Sequence, residues 1–102
     1  MWNAIVQGIG ALRDIKEIRM IQPTIEEINN KLKKVIDNEI TRVEAGNWAL
    51  DFILNDDNVE IRNIKAWHYL VSVSSIDEMI TSNGYLYSIE DIKEWIKESN
   101  EL

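Results

Sequence analysis

Between residues 24 and 37 the apolar positions Ile25, Ile28, Leu32, Val35 and Ile36 recur at steps of 3, 4, 3 and 1. An α-helix turns once in 3.6 residues, so these positions form one narrow stripe and the segment reads as an amphipathic helix. Glu26 and Glu27 in its first turn, and Lys33 and Lys34 near its end, complement the helix dipole. Residues 42–55 follow another pattern. Glu44, Asn47, Asp51 and Asn55 make one thin polar row, and Val43, Ala45, Trp48, Ala49, Leu50, Phe52, Ile53 and Leu54 surround it. A helix apolar around most of its circumference is expected at the centre of a bundle.

Residues 58–74 predict a further helix with Ile61, Ile64, Trp67, Leu70 and Val71 inward and Arg62, Lys65, Tyr69 and Ser72 outward. Residues 89–99 predict the last one, with Tyr87 and Ile92 placed as a hydrophobic staple. Residues 76–82 predict a short helix closed by Asn83 and Gly84, because glycine takes the left-handed C′ conformation readily. A β-hairpin competes there, since Asn-Gly also suits a type I′ turn; a lone two-stranded hairpin is marginal, and the helix is preferred. Near the start, Trp2, Ile5, Ile9 and Leu12 match a helix over residues 2–20, although Gly8 and Gly10 each weaken it by about 1 kcal/mol.

Cap signals support these elements. A hydroxyl or carboxylate at the N-cap bonds the amide three residues on, and an acid there reaches back to the cap amide. Five pairs have this spacing: Thr24 with Glu27, Thr41 with Glu44, Asp57 with Glu60, Ser75 with Glu78, and Ser88 with Asp91. The expected fold is all-α: a compact bundle of five to six short helices, at about 2–20, 24–37, 42–55, 58–74, 76–82 and 89–99, in one domain over residues 1–102. Arg42, directly after the Thr41 cap, takes no assigned role.

Charge narrows the partners. The net charge is −7, with residues 1–51 at −1 and residues 52–102 at −6. An acidic half repels phosphate backbones and anionic membranes and steers basic proteins toward itself, so neither nucleic acid nor membrane is expected as a partner. The chain has no cysteine, which removes disulfides and thiol chemistry and fits a reducing compartment. The opening "MWNAIVQGIGALRD" has no basic leader region and too short an apolar run to span a membrane, so the cytoplasm is the expected location.

Little here suggests catalysis. His68 is the single histidine, it falls mid-helix, and it reads as a residue bordering the core. The acidic pairs Asp56–Asp57 and Asp77–Glu78 lie at helix starts, where capping accounts for them, and no calcium-loop spacing follows. "GIG" at residues 8–10 lacks the remainder of a phosphate-loop pattern. Trp48, Trp67 and Trp95 fall on apolar helix faces, as core residues do. No enzyme activity, metal or cofactor is expected.

Folding explains one cluster less well. "SSIDEMITSNGYLYSIEDIKEW" gathers Tyr85 and Tyr87 beside Asp77, Glu78, Glu90, Asp91 and Glu94. Rigid aromatics flanked by carboxylates suit an interface against a basic partner, which makes these seven residues the candidate partner-binding set. Alternatively Tyr87 is a staple, Tyr85 covers a loop and the acids form a solvated face.

Two motifs resemble those of a known group. Arg42, Glu44, Ala45, Trp48 and Ala49, then Tyr85, Leu86, Ser88, Asp91 and Trp95, are similar to the pattern of a family of small acidic bacterial proteins of largely unassigned function, over about residues 39–97. That family in turn resembles the immunity proteins of bacterial toxin systems, which neutralise a toxin by binding it. The small helical immunity proteins of nuclease colicins are a looser parallel, whose Tyr-Tyr-Pro run this chain lacks. The resemblance implies a non-enzymatic, protein-binding module, an immunity protein that occludes a basic toxin domain through its acidic C-terminal half. The alternative is a bacterial helical adaptor or self-associating regulatory domain.

Overall fold

Residues 20–102 are described by the structure, a computed structural model. The helix expected over 2–20 lies outside the described residues. In chain order the elements are β1 (Met20–Ile21), α1 (Ile25–Ile36), α2 (Arg42–Leu54), a 3-10 turn (Asp56–Asn58), β2 (Val59–Glu60), α3 (Ile64–Val73), β3 (Met79–Thr81), β4 (Gly84–Tyr85) and α4 (Ile89–Ser99). The protein is mostly helical, but four helices rather than five or six are present among the described residues, and two small sheets accompany them. No helix among these residues is long and apolar enough to cross a membrane.

Three of the five expected capping boxes form, and each starts a helix at the expected residue: Thr24 with Glu27, Thr41 with Glu44, and Ser88 with Asp91. Helix α1 ends at Ile36 with Asp37 as its C-cap, and Asn38 after it takes the left-handed conformation at φ 62°, a place where asparagine substitutes for glycine.

The centre of the bundle is α1, which packs against all three other helices. Its stripe buries Ile28, Leu32 and Val35 together with Asn29. The expectation that α2 is central is corrected. Only its small residues Ala45, Gly46 and Ala49 are buried, while Val43 and Leu54 stay 49% and 72% exposed. Small side chains let α2 lie close to α3 and the turn after it, where a Cβ on Gly46 would stand 3.1 Å from Asp77 Oδ1. A close-packed strip of small residues buries little area; Trp48 and Phe52 pack against the core only in part, and Val43, Leu50 and Leu54 face outward.

The element expected over 58–74 divides. Val59–Glu60 pairs in parallel with Met20–Ile21, which holds the backbone extended where the Asp57–Glu60 box would need a helix. Helix α3 therefore begins later, capped by Asn63, whose side chain accepts from the backbone of Lys65 and Ala66. The late start also changes the face that is buried. Ala66, Tyr69, Leu70 and Val73 point inward, at steps of 3, 1 and 3, whereas Ile61, Ile64 and Val71, expected inside, are 41%, 56% and 43% exposed. His68 lies on the exposed side rather than at the core border.

A buried polar chain ties three helices together. Tyr69 of α3 donates to Asn29 Oδ1 of α1 (2.5 Å), Asn29 Nδ2 donates to Ser99 Oγ of α4 (2.9 Å), and Ser99 donates to the Ile96 carbonyl (2.7 Å). Burial pushes the Tyr69 hydroxyl up to about 12, with Ser99 pulling it the other way. A phenol held protonated by folding contributes stability that is complete below the ordinary tyrosine value and is lost as pH rises toward 12. Urea unfolding at increasing pH is thus expected to show a loss of about 2 kcal/mol above the ordinary range, absent from Tyr69→Phe. Equal alkaline losses in both proteins would remove Tyr69 as the cause.

Residues 76–82 do not form a helix. Met79–Thr81 pairs antiparallel with Gly84–Tyr85, in register Met79↔Tyr85 and Thr81↔Gly84 with an irregularity between. Ser82 and Asn83 keep negative φ, so the turn is not type I′. Tertiary contacts stabilise this marginal hairpin. Arg42 Nη1 donates to the carbonyls of Tyr87 (2.7 Å) and Ile76 (3.3 Å), and its guanidinium lies 4.2 Å from the centre of the Tyr85 ring. Leu86 N–H closes the base of the hairpin onto the Glu78 carbonyl at 2.8 Å.

Candidate functional site

Charge is distributed unevenly over the described residues. Residues 20–60 carry four basic and nine acidic groups, and residues 90–102 carry two and five. The stretch between them, 61–89, carries two of each. Both of its acids, Asp77 and Glu78, sit together in the turn between α3 and the hairpin. Residues 61–76 therefore hold no carboxylate but include Arg62, Lys65 and His68. Helix α3 is the one helix among the described residues without an acid in its first turn.

The outer face of α3 follows from its buried one. With Ala66, Tyr69, Leu70 and Val73 inward, Ile64, Lys65, His68, Val71 and Ser72 are left exposed, at steps of 1, 3, 3 and 1 along one side. Lys65 makes no ion pair among the described residues. Arg62, just before the helix, donates Nε to Glu60 Oε2 at 2.9 Å, and this carboxylate raises its already high pKa.

Gln22 sets the start of the helix. This buried side chain accepts the backbone N–H of Arg62 and of Asn63 on Oε1 (2.5 and 2.6 Å) and donates Nε2 to the Asn63 carbonyl (3.1 Å). It satisfies a non-repetitive stretch of backbone that has no strand partner there, and so holds the loop that presents Arg62 and the cap of α3. Toward α4, Lys65, His68 and Ser72 face Trp95 and Glu98 across a cleft of about 300 Å³. Glu98 is the carboxylate on its rim.

The seven residues proposed from sequence for partner binding are placed differently from one another. Asp77 is half-buried under the start of α2. Asp91 is committed to the Ser88 capping box. Tyr87 is half-buried, with its ring edge-on to Trp95 at 4.8 Å and its carbonyl held by Arg42. Glu78, Glu90 and Glu94 are exposed, and Tyr85 is 44% exposed with one side covered by Arg42. No group of three or more metal-ligating side chains that could hold an ion forms among the described residues.

The outer face of α3 was not selected from sequence, although its signal was present. Sixteen consecutive positions without a carboxylate, residues 61–76, stand out in a chain with 18 acids. Averaging the charge over half the chain concealed them.

Comparison with known proteins gives a family. The model of a family described as YxzC DNA-binding protein matches residues 17–99. The chain is also similar to the uncharacterized protein YxzC of Bacillus subtilis (strain 168), at 33% identity over 84 residues, which cover 82% of this chain and 68% of that protein. No solved structure matches. These findings overturn the resemblance to immunity proteins, and with it the basic toxin domain as partner; the adaptor alternative falls as well. They also conflict with the exclusion of nucleic acid. That exclusion used net charge, but salt screens exposed charges beyond about 10 Å, so the local surface governs contact with a polyanion.

Proposed function

We propose, since this chain belongs to the YxzC DNA-binding protein family, that it binds duplex DNA and that the outer face of α3 meets the duplex. Family membership over residues 17–99 carries the reading; the charge distribution supports the choice of helix. A helix of ten residues is about 15 Å long, and the major groove, about 12 Å wide, admits one. Lys65 and Arg62 are the phosphate contacts. His68 and Ser72 offer hydrogen-bonding groups to base edges, and exposed Ile64 and Val71 suit the thymine methyl. A DNA-binding protein of this kind needs no catalytic group, and the role agrees with the cytoplasmic location expected from the sequence.

Two cations release few counterions, so binding is weak and its dependence on salt is shallow, with a log–log slope of about −2. Fluorescence anisotropy with a labelled duplex of roughly two turns tests the assignment. Lys65→Ala is expected to weaken binding and to reduce the slope by about 1. Glu98→Gln, which removes the carboxylate facing Lys65 and His68, is expected to tighten it. A Lys65→Ala protein with the affinity and salt slope of the parent would eliminate α3 as the contact.

A further inference from the structure

We infer that His68 makes the affinity of α3 for DNA depend on pH, its protonation adding a third cation to the two that Arg62 and Lys65 supply. This rests on the DNA-binding reading above and adds a regulation of the same surface. His68 is the single histidine of the chain, and it lies inside the carboxylate-free run 61–76. Its side chain is exposed on the outer face of α3, one turn after Lys65 and one turn before Ser72. No hydrogen bond or ion pair ties its ring to a neighbour among the described residues. The imidazole is therefore free to meet a phosphate.

The surroundings set the sign of the effect. Glu98 faces His68 across the cleft from α4, and Lys65 and Tyr69 are the other titratable side chains of its lining. Burial pushes the Tyr69 phenol up to about 12, so it stays uncharged through the neutral range. Between about pH 5 and 8, where imidazole changes charge, ordinary lysines remain cations and ordinary carboxylates remain anions. Acidification through that interval thus changes the charge of this face at His68. The imidazolium also offsets Glu98, the carboxylate that otherwise repels a phosphate from the rim. One charge is a large change here, because counterion release grows with the number of phosphates neutralised and only two cations precede it. Protonation makes the ring a double donor as well, which suits phosphate oxygens and the two acceptors on a guanine edge. The coupling is reciprocal: DNA near the ring favours its charged form, so binding takes up a proton.

The test uses the full chain and the same labelled duplex, at about pH 6 and about pH 8 and equal ionic strength. The parent is expected to bind about fivefold more tightly at the lower pH, with the salt slope steepening from about −2 to about −3. Calorimetry near neutral pH, in two buffers of different ionisation enthalpy, is expected to show proton uptake on binding. This measurement needs no variant. His68→Gln is expected to lose both the pH ratio and the proton uptake, whatever its own affinity. His68→Arg is expected to keep the steeper slope at both pH values, and circular dichroism verifies that each variant is folded. If the parent binds with the same affinity and slope at both pH values while Lys65→Ala is impaired, the inference fails and the α3 reading stands. A pH ratio that survives in His68→Gln also overturns it, because the titrating group then lies elsewhere. If the parent binds no duplex at low salt at either pH, the DNA-binding reading itself fails and the pH switch with it.

Discussion

Asn29→Ala is expected to lower the unfolding free energy by about 3 kcal/mol and Tm by on the order of 15 °C. Asn29 is only 8% exposed and links Tyr69 on α3 to Ser99 on α4 from the central helix. Its removal strands the hydroxyl of Tyr69, a residue only 9% exposed, without an acceptor. A buried donor left unmet costs about 1–3 kcal/mol, and the vacated volume adds to that. Urea denaturation measures the total. The double variant Asn29→Leu with Tyr69→Phe removes both partners and fills the space, so it is expected to recover most of the loss. Were the single substitution to cost under about 1 kcal/mol, the polar chain would contribute little to holding the three helices together.

Arg42→Ala is expected to cost about 2–3 kcal/mol, concentrated in the hairpin. One guanidinium donates to the Tyr87 and Ile76 carbonyls and stacks on Tyr85. Hydrogen bonds from a charged donor contribute about 1.5–3 kcal/mol, a range to be discounted for the partial exposure of Arg42, and the ring contact adds about 0.5–1 kcal/mol. Hydrogen exchange at the Leu86 amide, which bonds the Glu78 carbonyl, reports the hairpin directly. Its protection is expected to fall well before that of the α1 amides. Arg42→Lys is expected to restore little, because an ammonium lacks the flat guanidinium that lies on the Tyr85 ring while its Nη1 donates to both carbonyls. Unchanged exchange at Leu86 in Arg42→Ala would show that the hairpin is stable without the clamp.

Much of the helical layout was legible along the chain because it depends on neighbours in sequence. Thr24, Thr41 and Ser88 cap their helices through groups three residues away, and the α1 stripe is a property of helical period alone. The candidate site was partly legible. The carboxylate-free run over 61–76 can be read directly, and so can the inward set Ala66, Tyr69, Leu70 and Val73 once the helix starts at Ile64.

That starting point depends on distant residues. Met20 and Ile21 draw Val59 and Glu60 into a strand, and Gln22 takes the backbone of Arg62 and Asn63, which moves the cap from Asp57 to Asn63. The face that α3 turns outward follows from that displacement. The region of 76–82 was decided in the same way. Asn83–Gly84 suits either a helix end or a turn, and Arg42, more than 30 residues earlier, holds the hairpin. The sequence by itself determined where the Thr24, Thr41 and Ser88 caps, the apolar stripe and the carboxylate-free stretch lie. Only the tertiary structure decided which helix is central, which side of α3 faces solvent, and that residues 79–85 form a hairpin. Local propensities differ by little more than about 1 kcal/mol between these alternatives, and contacts between distant residues contribute more than that.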